Sequence, residues 1–282
     1  MNIKVDLVMW TKNGEKTLPD VLKRIDEVIP HENVCHKILV DDRSTDRTVE
    51  IAKEFNWNVY LNPETRIASG ANEALRHIDR GFFVSIEQDV VLAKEWWNKI
   101  PPHMENPEVA VAQGIRLSTN PTLRKMDEYQ YDRMKLESKG ITYGISIDNN
   151  IYRTRAIKAI GGFPYDCPVC VDSVLMQKLH RLNFKWIVDK SIVSTHLRDS
   201  VIGYIKHHYK MTKLCSGSEY CLFPKSAKHQ TLLMLRIFLT SPARATLLAY
   251  KKKSFKLFCV YPIVRLALLA ATVDKKLSEL LW

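Results

Sequence analysis

Glycine is scarce in this chain, 10 of 282 residues, and proline contributes only 12. No internal repeat or low-complexity tract is present, so a solenoid, a collagen-like fibre and a linker-rich disordered chain are all excluded. A small-residue cleavage site is also missing after the first apolar run, "MNIKVDLVMW", and Asp6 interrupts that run. The segment is therefore expected to be a first strand, not a signal peptide. The six cysteines, with no secretory signal before them, point to a reducing compartment and free thiols. Cys167 and Cys170 in "CPVC" leave one alternative, a four-thiolate zinc site completed by Cys215 and Cys221, although that second spacing is wide for a zinc knuckle.

Acid is what the last part of the chain lacks. Basic and acidic side chains balance over residues 1–200, so the whole formal excess of +11 lies beyond them. A neutral body followed by a basic, Leu-rich extension predicts a domain at 1–200 and a helical tail at 201–282 that meets an anionic surface or another subunit. The interleaved residues in "TLLMLRIFLT" and "LFCVYPIVRLALLAATV" are aliphatic, which fits lipid headgroups and argues against nucleic acid. The run Leu257 to Val273 contains Pro262 and Arg265 and lies at the short limit for crossing a bilayer. Helices lying on the cytoplasmic leaflet, with "KKKSFK" near the headgroups, are the expectation, and packing on another subunit is the alternative.

The first half alternates periods of two kinds. "KVDLVMW", "HKILVDD", "WNVYLN" and "GFFVSIE" read as strands, with helices predicted at 15–29, in "STDRTVEIAKEF" and in "GANEALRHI". Such repeated units predict an α/β fold with a mostly parallel, doubly wound sheet, whose ligands bind beyond the carboxyl ends of the strands. Three of those ends carry polar clusters, "TKNGE", "DDRSTD" and "EQD". Downstream, "SIDNNIYRTRAIKAIGGFP" reads as a strand, a short helix and a Gly-Gly turn. "VDSVLMQKLHRLNFKW" puts Leu175, Leu179 and Leu182 on one helical face, and "KWIVDKSIVSTHLR" gives a last strand ending at His196.

Each cluster has two readings. Asp41 and Asp42 can accept hydrogen bonds from a base or ribose, or the loop can be an N-capping turn in which Asp42, Ser44 or Thr45 satisfies the first amides of the next helix. Glu87 and Asp89 share one face of a strand end and can converge on a divalent cation, or they can simply be solvated. Asp172 is either an N-cap or a general base, and His196 either a structural histidine or a metal ligand.

The order of motifs favours function. "TKNGEKTLPDVL", "ILVDDRSTDRT", "NPETRIASGANEAL", "FVSIEQDVVLAKEWW", "NNIYRTRAIKAIGGF", "VDSVLMQKL" and "STH" together resemble the inverting nucleotide-sugar glycosyltransferases of family two, which have the GT-A fold, over residues 3 to 200. The resemblance implies that Asn13, Glu15, Asp41, Asp42, Arg66, Asn72 and Glu87 surround a UDP- or GDP-linked sugar. It also implies that Asp89, Glu87 and His196 hold Mg²⁺ or Mn²⁺ and that Asp172 is the catalytic base. A glycan or lipid-linked glycan is the implied acceptor, and a polyprenyl phosphate the alternative. The chain departs from the pattern at three positions: Glu87 stands for an Asp, Val171 precedes the base where the family has Glu, and Val174 stands where an acid is common. A sugar nucleotidyltransferase, the other enzyme considered on a similar fold, would carry a Gly-rich basic loop where this chain has "WTKNGEKTL". A binding module without turnover would not need both Asp89 and Asp172.

Overall fold

The computed structural model describes residues 3–133, 145–165, 169–215 and 227–280. The parallel half of the sheet is built from β1 (Val5–Thr11), β2 (Val34–Asp41), β3 (Asn58–Leu61) and β4 (Phe82–Ser85), connected through α1 (Leu18–Val28), α2 (Thr48–Glu54) and α3 (Ile67–Arg76). Then follow β5 (Val90–Val91), α4 (Trp96–Lys99), β6 (Val109–Ser118), α5 (Pro121–Arg133), β7 (Asn150–Arg153), α6 (Thr154–Ala159), α7 (Val171–Arg181) and β8 (Lys185–His196). The chain ends in α8 (Val201–Cys215), α9 (Ala227–Leu239), α10 (Ser241–Lys251) and α11 (Phe255–Leu280).

The eight strands run in the order β3-β2-β1-β4-β7-β6-β8-β5. Pairs β2·β3, β1·β2 and β1·β4 are parallel, as short crossovers with helices require. From β4 outward, β7 pairs antiparallel with β4 and with β6, and β5 antiparallel with β8. Val5, Leu7 and Met9 of β1 are fully buried beneath Leu18, Val21, Leu22 and Ile25 of α1, in a core that also takes Trp96 and Ile100. At roughly 25 cal/mol per Å² of apolar surface removed from water, this core is what holds the sheet under its helices.

Packing divides the described residues into two units. The first holds β1–β8 apart from Ser118, with α1–α4, α6 and α7; the second holds α5 with α8–α11. In the second unit, Leu248, Leu257 and Tyr261 form a small core with Met126 and Tyr129 of α5. Leu182 falls beyond the end of α7, where Asn183 turns the chain with a positive φ, and its side chain is exposed instead of completing the helical face. The Gly-Gly turn has φ of +84° at Gly161 and +91° at Gly162. A Cβ at Gly162 would also sit 2.5 Å from Asn72 Oδ1, so glycine is required there. The proposed thiolates Cys167 and Cys221 lie outside the described residues.

Candidate active site

The carboxyl ends of β2, β1 and β4 form one continuous polar edge. Asp41 closes β2 opposite Thr11 of β1, and its Oδ2 accepts the Ser44 amide at 2.9 Å. Asp42 follows and pairs with Lys12 Nζ at 2.9 Å. One carboxylate oxygen of each, Oδ1, is buried without a hydrogen-bond partner. Asp42 Oδ1 has only the Arg43 guanidinium, 3.6 Å away, and two such unbonded acceptors side by side are costly unless something donates to them.

The loops after β1 and β2 are latched to each other. Asn13, with φ of 50°, donates its amide to Ser44 Oγ at 2.8 Å and accepts the Thr45 amide at 2.9 Å. Glu15 accepts the Arg47 amide at 3.1 Å, and its own amide reaches Asp46 Oδ2 at 3.1 Å. Asp46 Oδ1 takes the Thr48 amide at 3.0 Å, so Asp46, not Asp42, Ser44 or Thr45, satisfies the start of α2. Gln88 joins this latch to the end of β4. Its Oε1 accepts the Lys12 amide at 2.9 Å and the Thr11 hydroxyl, and its Nε2 donates to Lys12 O at 3.2 Å.

Glu87, Asp89 and His196 come together although more than a hundred residues separate the last two. Val90 faces His196 in the antiparallel β5·β8 pair, and Leu197 N–H bonds Asp89 O at 2.8 Å. His196 is buried with Nε2 3.2 Å from Asp89 Oδ2. One donor atom from each of Glu87, Asp89 and His196 lies within 4.8 Å of the others. Two carboxylates and an imidazole suit a hard or borderline divalent cation such as Mg²⁺ or Mn²⁺. A second acid-histidine group, Asp6, His36 and Asp79, is different in kind: buried Asp6 is already occupied by the amides of Asp79 and Arg80 and by His36.

Arg116, on β6, is ion-paired to Glu87. Its charge also acts on Asp172, in the first turn of α7, and on Asp148, in the turn before β7. Burial raises the Asp172 carboxyl above the ordinary range, opposed by hydrogen bonds from Ser173 and by Arg116. Burial likewise pushes Asp148 up to about 7, with Asp89 and Asp172 adding to the rise. Four acids and one guanidinium thus share one field, an arrangement that collects where proton transfer is carried out.

The other two predicted residues lie elsewhere. Arg66 precedes α3, exposed, with Nε 3.7 Å from Glu64 Oε2. Asn72 spends both ends of its amide on the Phe163 backbone, each bond 2.8 Å, and so supports the Gly-Gly turn. Gln88, Arg116 and Asp148 were not singled out from the sequence. The apolar run "VAVA" before Gly114 was the available signal for β6 and, through it, for Arg116.

Comparisons with known proteins bear on the family and the fold. Residues 6–161, more than half of the chain, match the family described as Glycosyl transferase family 2. No curated protein sequence matches the chain. Among solved structures, it is similar to a mannosyltransferase from Pyrobaculum calidifontis in complex with GDP-Man and Mn²⁺, at 18% identity and a TM-score of 0.60 over 96% of this chain and 75% of the other. It is also similar to S. aureus TarS in complex with UDP-GlcNAc, at 16% identity and a TM-score of 0.52 over 97% and 89%. A third is glucosyl-3-phosphoglycerate synthase from Mycobacterium tuberculosis with Mn²⁺, UDP-Glc and phosphoglyceric acid, at 13% identity and 0.53 over 72% and 74%. At these identities the structures establish the fold. With the family match, they identify the chain as a member of glycosyl transferase family 2, a glycosyltransferase of the GT-A fold.

Proposed function

We propose that this enzyme transfers a sugar from a UDP- or GDP-linked donor to a hydroxyl of a glycan or lipid-linked glycan, with inversion and with Mg²⁺ or Mn²⁺. The observation that carries the reading is the shared field of Arg116, which links the Glu87–Asp89–His196 group to Asp172. Asp41 and Asp42 would receive donor hydrogens from base and ribose on the oxygens that have no hydrogen bond, Asp42 Oδ1 having only the Arg43 guanidinium 3.6 Å away. Asn13 and Glu15 hold the loop that walls the nucleotide; exposed Arg66, just before α3, would reach toward it, and Asn72 acts at one remove by holding the turn at Phe163. Glu87, Asp89 and His196 would hold the divalent ion. When bound, that ion neutralises the donor's phosphates and the leaving nucleoside diphosphate.

Asp172 takes the proton of the attacking hydroxyl, and its desolvation makes it a stronger base than an ordinary carboxylate. A phosphate acceptor, ionised before attack, would need no such base, which favours the hydroxyl over a polyprenyl phosphate. Arg116 pairs with Glu87 and opposes the protonation of Asp148 and Asp172 that their burial favours. The test of inversion is the anomeric configuration of the first product, read by NMR before it equilibrates. The opposite configuration to the donor's is expected, and retention would contradict a single displacement. Glu87→Asp draws the carboxylate back from Arg116, and kcat/KM is expected to fall by about 10²-fold, as for a misplacement near 1 Å. Wild-type activity in that variant would show that the extra methylene has no role.

For the second unit we propose a peripheral seat on the cytoplasmic leaflet. Ile202, Leu239, Tyr250 and Phe255 are large side chains left mostly exposed, and Lys251, Lys253 and Lys256 neighbour Tyr250 and Phe255 in the chain, while Lys252 pairs with Glu128 and Asp132. The stretch Phe255–Lys275 of α11 is long and apolar enough to cross a bilayer, yet Arg265 sits within it, which favours lying on the surface over spanning. Co-sedimentation with anionic liposomes is expected; a protein fully soluble without detergent and indifferent to such liposomes would refute it.

A further inference from the structure

β1 outruns one of its two neighbours. It pairs with β2 as far as Thr11 and Asp41 but with β4 only as far as Val8 and Ser85, and Ile86 N–H then bonds Val8 O at 2.9 Å. In a parallel ladder alternate residues turn their peptide groups to opposite neighbours, so Lys12, four residues beyond Val8, turns its N–H and C=O to the side that β4 has left. Gln88 fills that place. Its Oε1 accepts the Lys12 amide at 2.9 Å and its Nε2 donates to Lys12 O at 3.2 Å, so one side-chain amide stands in for a missing peptide group. This orientation of the amide sets an acceptor on the N–H and a donor on the C=O, and the opposite one does neither. A Cβ at Gly14 would sit 3.1 Å from the same Oε1, so the loop passes as near to Gln88 as a residue without a side chain permits.

Gln88 also lies between the two acids of the cation group. Val90 N–H bonds Glu87 O at 3.2 Å, which closes a turn with Gln88 and Asp89 at its centre. From Lys12 the chain of bonds runs on, because Nζ of that residue pairs with Asp42 at 2.9 Å. We propose that Gln88 is a positioning residue for transfer, holding the loop that seats the nucleotide at a fixed span from the cation that Glu87 and Asp89 would hold. The inference rests on the donor and metal reading given above. A nucleoside diphosphate then meets two parts of one braced unit, with its base end at Asp41 and Asp42 and its phosphates at the cation. The second contact is intramolecular, and its strength depends on how well the span is fixed. Releasing Gln88 weakens what the cation adds to binding. It leaves the base end as it was, since Asn13 and Glu15 brace that loop from the other side.

The test measures the affinity of the full-length enzyme for UDP and for GDP, each with Mn²⁺ and with a chelator, by isothermal titration. The quantity read is the factor by which Mn²⁺ tightens the nucleotide that the wild type binds. Gln88→Met keeps the length of the side chain and removes its hydrogen bonds. That factor is expected to fall about tenfold, with the metal-free affinity within about twofold of wild type. Gln88→Asn keeps an amide one methylene short of Lys12; its factor is expected to fall in the same direction, and it decides the matter if the methionine variant does not fold. A residue that only held the fold would weaken both affinities together. That outcome, or an unchanged factor in the folded variants, would overturn the positioning role. A wild type that binds neither nucleotide, or binds one equally with and without Mn²⁺, refutes the donor and metal reading itself and this role with it.

Discussion

Asp172→Asn is expected to lower kcat by about 10²–10⁴-fold, the range over which a positioned general base acts, and to leave nucleotide affinity unchanged. The asparagine keeps the volume at the start of α7 but cannot accept a proton from the attacking hydroxyl. Because burial raises the folded carboxyl's pKa, the base is lost as pH falls through a value above the ordinary carboxylate range. The wild-type kcat profile should therefore lose its acid side earlier than a solvent-exposed aspartate would predict, and the residual activity of the variant should lack that limb. Asp148, raised to about 7 and coupled to the same acids, makes the observed limb a property of the group, not of one residue. Steady-state rates from acid to neutral pH, on wild type and variant, make the comparison. A variant within threefold of wild type, or with the same acid limb, would remove Asp172 from the chemistry.

The second large effect concerns Asp89. Asp89→Asn is expected to reduce transfer by about 10²–10³-fold or more, because it withdraws one of the charges arranged to hold the cation at the leaving group. The variant also leaves His196, buried and 3.2 Å from Asp89 Oδ2, beside a neutral amide in place of a carboxylate. Added Mn²⁺ should then raise activity only at higher concentration than for wild type, which separates a lost ion site from a lost fold. Metal-dependent hydrolysis of the donor in the absence of acceptor gives the same comparison without knowing the acceptor. Equal hydrolysis by the variant and the wild type, both insensitive to chelation, would rule out the metal assignment.

Much of this was readable before the fold. Apolar runs ending in "DD" and in "EQD" marked the carboxyl edge, because a buried strand tolerates carboxylates only where it leaves the core. His196 was legible as the end of the last strand, yet its meeting with Asp89 depends on the β5·β8 register, which sequence separation conceals. The middle of the chain was less informative. The sequence patterns give no strand at β6 and hence no edge for Arg116, and they make Asp148 part of a strand where the fold has the turn ahead of β7. Hydrogen bonds between loops were beyond reach for a different reason. Asn13 and Glu15 bond backbone amides of another loop, and side-chain type alone does not identify such partners. Asn72 has the same character, since its partner is the turn at Phe163, which follows two glycines 91 residues away in the chain.

The most direct measurement is thermal unfolding with UDP or GDP, each with Mn²⁺ and again after chelation, on wild type and Asp89→Asn. A ligand at 100 times its Kd stabilises the native state by about 2.7 kcal/mol. The account predicts that one of the two nucleotides raises the unfolding temperature of wild type, that chelation abolishes the rise, and that Asp89→Asn loses it. A rise that survives both chelation and Asp89→Asn, or no rise with either nucleotide, would contradict a metal-held nucleotide-sugar site at the ends of these strands.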